Sequence, residues 1–190
     1  MIDWTALTDG ELAALSIAGR QAAFSEIMHR HRQPVFRLAR ACIGDPDEAL
    51  DLVQETFVAA HQALSRYDGE RSMRAWLSTI ALNKCRDWAR KRAVRRFLSF
   101  AMPIDGHAEA VVDDRVAIDD AAADRQELDR VTRAISTLPM NLKEALVLRT
   151  IEGLSQAETA EVLSISEKAV ETRVYRARAR LLEKMGRAKG

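Results

Sequence analysis

The segment from Ile151 to Leu182 constrains the fold most, because its capping signals and periodicity fit two short helices separated by a tight turn. Ser155 and Glu158 have capping-box spacing, so each side chain can satisfy a backbone N–H at the start of a helix. That helix carries Ala157, Ala160, Val162 and Leu163 as its small and apolar positions, and a Ser164-Ile165 turn follows. Ser166 then caps a second helix, in which Val170, Val174, Ala177 and Leu181 recur at spacings of four, three and four and form the buried stripe. Glu171, Thr172, Arg173, Arg176, Arg178 and Arg180 lie at other angles. A helix buried on one side and basic elsewhere suits the DNA major groove. A solvated amphipathic helix is the plain alternative, and the preceding helix with its short turn argues against it.

The rest of the chain limits where this unit can sit. At 190 residues, 47% hydrophobic and 30% charged, the sequence suffices for one compact domain or two small ones. No apolar run approaches the roughly 20 residues that span a bilayer, and the N-terminus lacks a basic-then-apolar signal pattern, so a cytoplasmic protein is expected. Cys42 and Cys85 have no neighbouring cysteine and sit in helical patterns, which favours core packing over a disulfide or metal site. His29 and His31 fall on different sides of a helix, so no metal site is expected.

The net charge of +1 conceals three blocks of different sign. Lys84 to Arg96 holds seven basic residues against Asp87, a local charge of +6, and Lys168 to Gly190 holds eight against Glu171 and Glu183, again +6. Between them, Ser99 to Glu127 carries eight acidic residues against Arg115 and Arg125, a charge of −6. Two basic surfaces joined by an acidic connector point to two nucleic-acid contacts made by one chain. Pro103, Gly106 and the Asp113-Asp114 and Asp119-Asp120 pairs make the connector read as a mostly flexible linker. Its 29 residues would span roughly 30 Å as a coil and on the order of 100 Å when extended.

The N-terminal part reads as helical almost throughout. Thr8 and Glu11 form a capping box, and Phe24, Ile27, Met28, His31, Val35, Leu38 and Cys42 mark the inner stripe of a second helix that Pro34 should kink without ending. Gly44-Asp45-Pro46 makes a stop and a new start. In the third helix Leu50, Val53, Phe57, Ala60 and Leu64 are expected inside, with Asp51, Gln54 and Glu55 as a polar cluster on the other side. A fourth helix, about Ser72 to Arg96, buries Leu77, Ile80, Ala81 and Trp88 and sets Asn83, Asp87 and Arg90 on another face. Asn can read or hold a base, Asp can accept from a base amino group, and the Lys/Arg cluster can neutralise phosphates, although such a stripe taken alone is more often a solvated face. Trp76, Trp88 and Tyr67 can stack on unpaired bases, but the two tryptophans are expected mainly in the core.

These residues resemble a known family over nearly the whole chain: the extracytoplasmic-function group of bacterial RNA polymerase sigma factors. The run Asp51-Leu52-Val53-Gln54-Glu55-Thr56-Phe57, with Arg74-Ala75-Trp76-Leu77 and Ile80-Ala81-Leu82-Asn83, resembles the first conserved domain of that family. Glu152-Gly153-Leu154-Ser155 through Val170, with Arg176-Ala177-Arg178, resembles the second. The resemblance implies an all-α fold of two small helical domains: a sigma-2-like domain over residues 1–97, an acidic linker over 98–126 and a sigma-4-like helix-turn-helix domain over 127–190.

It also implies partners and roles. Asp51, Gln54 and Glu55 would dock on the clamp of core RNA polymerase. The loop from Tyr67 to Arg71, with Asn83, Lys84, Asp87 and Arg90, would recognise the minus-ten promoter element and capture an extruded base, while Arg90, Lys91, Arg95 and Arg96 hold the backbone. The last helix would enter the minus-thirty-five element with Glu171, Thr172 and Arg176 nearest bases, Lys168 and Arg173 on phosphates, and Arg178 alongside. Glu171 departs from the basic or small residue common there, and a carboxylate would accept from a cytosine amino group. An anti-sigma factor is the expected regulator, and no catalytic residue, cofactor or metal is implied.

Two other classes fit less well. A sigma-like interaction module that binds an anti-sigma factor without binding DNA would not need the full basic run 84–96 beside an intact helix-turn-helix, and no receiver-like region is present. A nucleic-acid enzyme would need a metal-ligand cluster, a glycine-rich phosphate loop or a nucleophile–base pair, and the sequence has none.

Overall fold

The computed structural model describes the backbone of residues 2–101 and 120–187 and the side chains of 2–98 and 126–186; the acidic residues 102–119 of the expected linker lie outside the described residues. Among the described residues eight α-helices run in order: α1 (Asp9–Ile17), α2 (Gln21–Ile43), α3 (Pro46–Ala63), α4 (Met73–Ala101), α5 (Asp120–Ser136), α6 (Met140–Thr150), α7 (Gln156–Leu163) and α8 (Glu167–Arg187). No strand occurs among the described residues.

Local chemistry fixes the helix boundaries. Glu11 N donates to Thr8 Oγ1 at 3.2 Å while Thr8 N donates to the Glu11 carboxylate at 2.7 Å, which closes the first capping box. Asp45 Oδ1 accepts from Asp47 N and Glu48 N at 3.0 and 3.1 Å, and Pro46 opens α3, where its missing N–H costs nothing. α2 continues through Pro34 and stops at Gly44, whose φ of +82° is left-handed. Gly44 is held for a second reason: a Cβ there would lie 2.6 Å from Ser136 Oγ, so the turn doubles as a seat for α5.

Helices α1 to α4 form one unit around Leu12, Ile27, Leu38, Val53, Phe57, Leu77 and Ala81. Helices α6 to α8 close around Leu146, Leu148, Leu154, Val162 and Ala177. The two units are not held apart: α2 packs on α5 and α6, α4 packs on α6 and α7, and the buried apolar residues of both form one continuous cluster. The two helical units joined by an acidic linker are those the sequence predicts, and helix extends into that linker from both ends, to Ala101 on one side and from Asp120 on the other.

Three apolar positions differ from their expected direction. Met28 is 39% and Leu50 41% exposed, and Ala157 is exposed while its neighbour Thr159 is buried. Leu50 shares the i, i+4, i+8 ridge of α3 with Gln54 and Val58, and Val58 is itself 59% exposed. Ile80, Trp88, Val174 and Leu181, expected inside, pack against the core but are only partly buried.

Candidate nucleic-acid interface

The recognition helix α8 owes its presentation to the turn before it. The second capping box is closed by Ser155 and Glu158, with Ser155 N to the Glu158 carboxylate at 2.7 Å and Glu158 N to Ser155 Oγ at 3.1 Å. These bonds hold the Glu158 carboxyl below its usual range. Ser164 ends α7 at φ +53°, the only positive φ outside glycine among the described residues, and the left-handed step makes room for Ser166 to cap α8 through Ala169 N at 3.2 Å. Val170 and Ala177 anchor the inner side of α8, leaving Lys168, Glu171, Tyr175, Arg176 and Arg178 exposed and Thr172 and Arg173 half-buried.

Its outward side divides in two. Arg173 and Arg176 join Lys168 and Thr172 around a hollow that reaches Asn141. Arg178 joins Tyr175, Glu171 and Arg149 around another. Lys168 donates to Glu171 at 2.8 Å, and Thr172 Oγ1 donates to Lys168 O at 2.9 Å, so Glu171 and Thr172 are both tied to Lys168. Tyr175, 75% exposed, escaped the sequence reading; its place one residue before Arg176 on a helix buried on the opposite side was the available signal.

Helix α4 carries the other basic face. Lys91, Arg95 and Arg96 are exposed beyond the bundle, and Arg92 lies over the Trp88 ring at 5.0 Å. Trp88 Nε1 donates to Glu48 at 2.8 Å, which ties α4 to α3 and makes Trp88 a structural residue rather than a free stacking platform. Asp87 pairs with Arg90, and Lys84 reaches Glu55 on α3 at 3.3 Å, linking the face expected for DNA to the one expected for polymerase. Asp51, Gln54 and Glu55 are all exposed, flanked by Leu50 and Val58.

The loop before α4 is not open. The Tyr67 ring lies 5.2 Å from Trp76, and its hydroxyl donates to Arg71 O at 2.5 Å. Across a cleft of about 400 Å³, Tyr67, Arg71 and Trp76 face Glu158, Glu161 and Val162 of α7, and Arg71 forms an ion pair with Glu161. Asn83 Oδ1 accepts from Arg86 Nη1 at 3.1 Å. Arg86 in turn makes two bonds to Glu144 of α6, Nε to Oε1 at 2.6 Å and Nη2 to Oε2 at 2.8 Å. Arg74 Nη1 donates to Glu152 O at 3.0 Å.

None of these cross-unit partners is visible in residue spacing. Lys143, Glu144 and Glu152 are 5%, 3% and 1% exposed, although their types suggest surface positions. Burial lowers the Lys143 ammonium and raises the Glu152 carboxyl from their usual ranges. Cys42 and Cys85 are buried and reduced, as expected from core packing; the hydrogen bond of the Cys85 thiol to Cys42, together with burial, pushes that thiol well up. His31 is buried and bonded to Asp9 at 2.9 Å. Among the described residues no group of three or more His, Cys, Asp and Glu is placed to hold a metal, and no helix is long and apolar enough to cross a membrane.

Comparison with known proteins agrees with this division. Residues 27–95 match the family model of sigma-70 region 2, and residues 128–181 match that of sigma-70 region 4. The chain is 43% identical to the RNA polymerase sigma factor CnrH of Cupriavidus metallidurans, over 91% of this chain and 92% of the relative. It is 30% identical to the ECF RNA polymerase sigma factor SigM of Mycobacterium tuberculosis, over 94% and 85%. Among solved structures, CnrH in complex with the cytosolic domain of CnrY superimposes with a TM-score of 0.68 at 36% identity, covering 94% of this chain and 97% of the other. The sigma factor RpoE of Bartonella quintana, solved with the anti-sigma factor NepR, shares the fold with a TM-score of 0.67 at 24% identity, covering 86% and 96%.

Proposed function

The chain belongs to the extracytoplasmic-function group of the sigma-70 family, a family of transcription initiation factors rather than enzymes, and we propose from its surfaces how it divides that work among its helices. The reading rests above all on one observation: two basic helices, α4 and α8, lie in separate family regions of one chain, with a third, mixed acidic and apolar strip exposed on α3. That strip, Asp51, Gln54 and Glu55 with Leu50 and Val58, docks on the clamp of core RNA polymerase; the apolar pair supplies area and the carboxylates supply register.

On α4, Asn83 and Asp87 read the minus-ten element with the Tyr67–Arg71 loop, and Lys84, Arg90, Lys91, Arg95 and Arg96 hold its backbone. A pocket that binds only an extruded base favours the melted promoter over the closed one. On α8, Glu171, Thr172 and Arg176 read the minus-thirty-five element, while Lys168, Arg173 and Arg178 contact phosphates or the groove edge. The protein works in the cytoplasm beside the polymerase. The relatives solved with CnrY and with NepR support regulation of this chain by an anti-sigma factor of its own.

Transcription by purified core RNA polymerase, with and without the chain, on a promoter library at fixed salt tests the reading. Initiation at a defined two-element promoter only when the chain is present is the expected result. The same library read with Glu171→Ala should lose a preference for cytosine at one minus-thirty-five position, worth about 1–3 kcal/mol. An unchanged preference would remove Glu171 from base readout.

A further inference from the structure

Helix α1 has a glycine in its first turn, Gly10, that its own geometry does not require. Gly10 is an ordinary right-handed helical residue with no positive φ, and alanine is the better helix former. What keeps it bare is a neighbour. A Cβ built on Gly10 would lie 2.7 Å from the carbonyl oxygen of Gly69 and 3.3 Å from its carbonyl carbon and Cα, and backbone atoms cannot swing aside as the end of a side chain can. The contact is one-sided: a Cβ on Gly69, which also lacks a positive φ, would meet only Gly10 Cα at 3.6 Å, an ordinary van der Waals distance.

Each side of this contact is braced by its own bonds. On α1 the Thr8–Glu11 capping box fixes the first turn, and Asp9 is bonded to His31 at 2.9 Å and to Arg30 at 3.2 Å, both on α2. Gly69 sits in the middle of the loop before α4. Glu70 N donates to Asp68 Oδ1 at 3.1 Å, Arg71 N to Asp68 O at 3.0 Å and the Tyr67 hydroxyl to Arg71 O at 2.5 Å, so the loop is closed on itself and shifts as a unit. Burial, and after it the charge of Asp9, raises the Tyr67 phenol from its usual range, so α1 is felt at the ring as well as at the loop backbone. The Arg71–Glu161 ion pair also touches the loop, but its side chains are 58% and 53% exposed, and such pairs hold position weakly.

We propose that Gly10 is a positioning residue for minus-ten recognition: its bare backbone is the seat that sets where the Tyr67–Arg71 loop meets an extruded base. This role rests on the assignment of that loop to the minus-ten element. A methyl group on Gly10 moves Gly69 O from 2.7 Å to an ordinary contact of 3.4 Å or more, and Gly69 is exposed, so the loop yields without disturbing the core. Base readout depends on hydrogen-bond distance and angle and suffers from such a shift, whereas phosphate contacts by long Lys and Arg side chains absorb it. The effect therefore falls on base choice rather than on overall affinity.

Two glycine-to-alanine changes on opposite sides of the contact test this in the full chain. Gly10→Ala and Gly69→Ala are each read with core RNA polymerase on a library randomised over the minus-ten element, and by the amide resonances of Asp68, Glu70 and Arg71. Gly10→Ala should move those resonances and flatten the preference at one minus-ten position by about fivefold or more, while Gly69→Ala keeps the wild-type preference. Helix content and binding of the free chain to a minus-thirty-five duplex should be unchanged in both. Equal flattening by the two variants, or an unchanged preference with Gly10→Ala, overturns the seat. Arg71→Ala separates that failure from a failure of the underlying assignment: if Arg71→Ala flattens the preference and Gly10→Ala does not, only the seat falls, and if neither does, the loop does not read the minus-ten element and the seat falls with it.

Discussion

Two basic faces of this molecule, on α8 and on α4, carry similar residue types and stand in different situations. On α8 the charges are presented by a turn that is complete within its own segment: the Ser155–Glu158 box, the left-handed Ser164 and the Ser166 cap. In and before α4, two of the residues assigned to DNA connect to the other half of the chain, Arg71 by its ion pair with Glu161 and Asn83 through Arg86, which bonds Glu144. Local hydrogen bonding therefore suffices to build one DNA surface, whereas the availability of the other depends on tertiary packing. One proposed DNA face is presented by its own segment alone, and the other shares partners with the rest of the chain.

The strongest way to break this comparison is to attack the shared core. Leu148 on α6 and Leu77 on α4 are 0% and 1% exposed and belong to one continuous cluster. Truncating either to alanine should cost about 2–5 kcal/mol through lost transfer and a residual cavity. Because the cluster spans both units, calorimetry should show one transition moved down in each variant. Two separate transitions, with Leu148→Ala moving only one, would mean that the units fold independently and that their contact contributes little.

A smaller effect sharpens the comparison on DNA itself. Arg176→Ala should weaken binding of the free chain to a minus-thirty-five duplex by about 1–3 kcal/mol, read by fluorescence anisotropy at fixed salt. Asn83→Ala should leave that binding unchanged and reduce open-complex formation once polymerase is present. If Asn83→Ala weakened the free chain on duplex DNA as much as Arg176→Ala did, the α4 face would be as open to duplex DNA as the α8 face.

The same contrast explains what could be read from the sequence. Both capping boxes and the Asp45-Pro46 start were legible because a cap and its partner are three residues apart or fewer, so composition and spacing carry the whole interaction. The Arg86–Glu144 bonds join residues 58 apart, and a charged side chain carries no mark of the helix that will cover it. Nothing in the spacing of Lys143, Glu144 and Glu152 marks them as buried. Periodicity also gives the angle of a residue without giving the neighbour at that angle, which is why Leu50 and Met28 sit on the apolar side by count and on the outside in the fold. The candidate site residues Lys168 to Arg178 lie on α8 and Asn83 to Arg96 on α4, and the intrachain partners of Arg71 and Asn83 were not foreseen.

Glu152 offers the finest test, because it sits where the halves meet and has one side-chain oxygen without a partner. Burial raises its pKa, partly offset by Arg37, Arg74 and His31, and Asp9, Arg71 and Glu158 line the same cavity. A carboxyl raised in the folded state above its usual 4.5 costs stability once it is charged in both states. That cost is present above the folded pKa, shrinks as pH falls through it, and vanishes below the unfolded value. Glu152→Gln should therefore raise the midpoint of thermal unfolding at pH 7, with the gain over wild type closing as the pH falls toward 4.5 and absent below it. A variant less stable than wild type at pH 7 would mean that the attraction of the neighbouring basic groups outweighs burial, making Glu152 an electrostatic tie between the halves rather than a desolvation cost tolerated inside them.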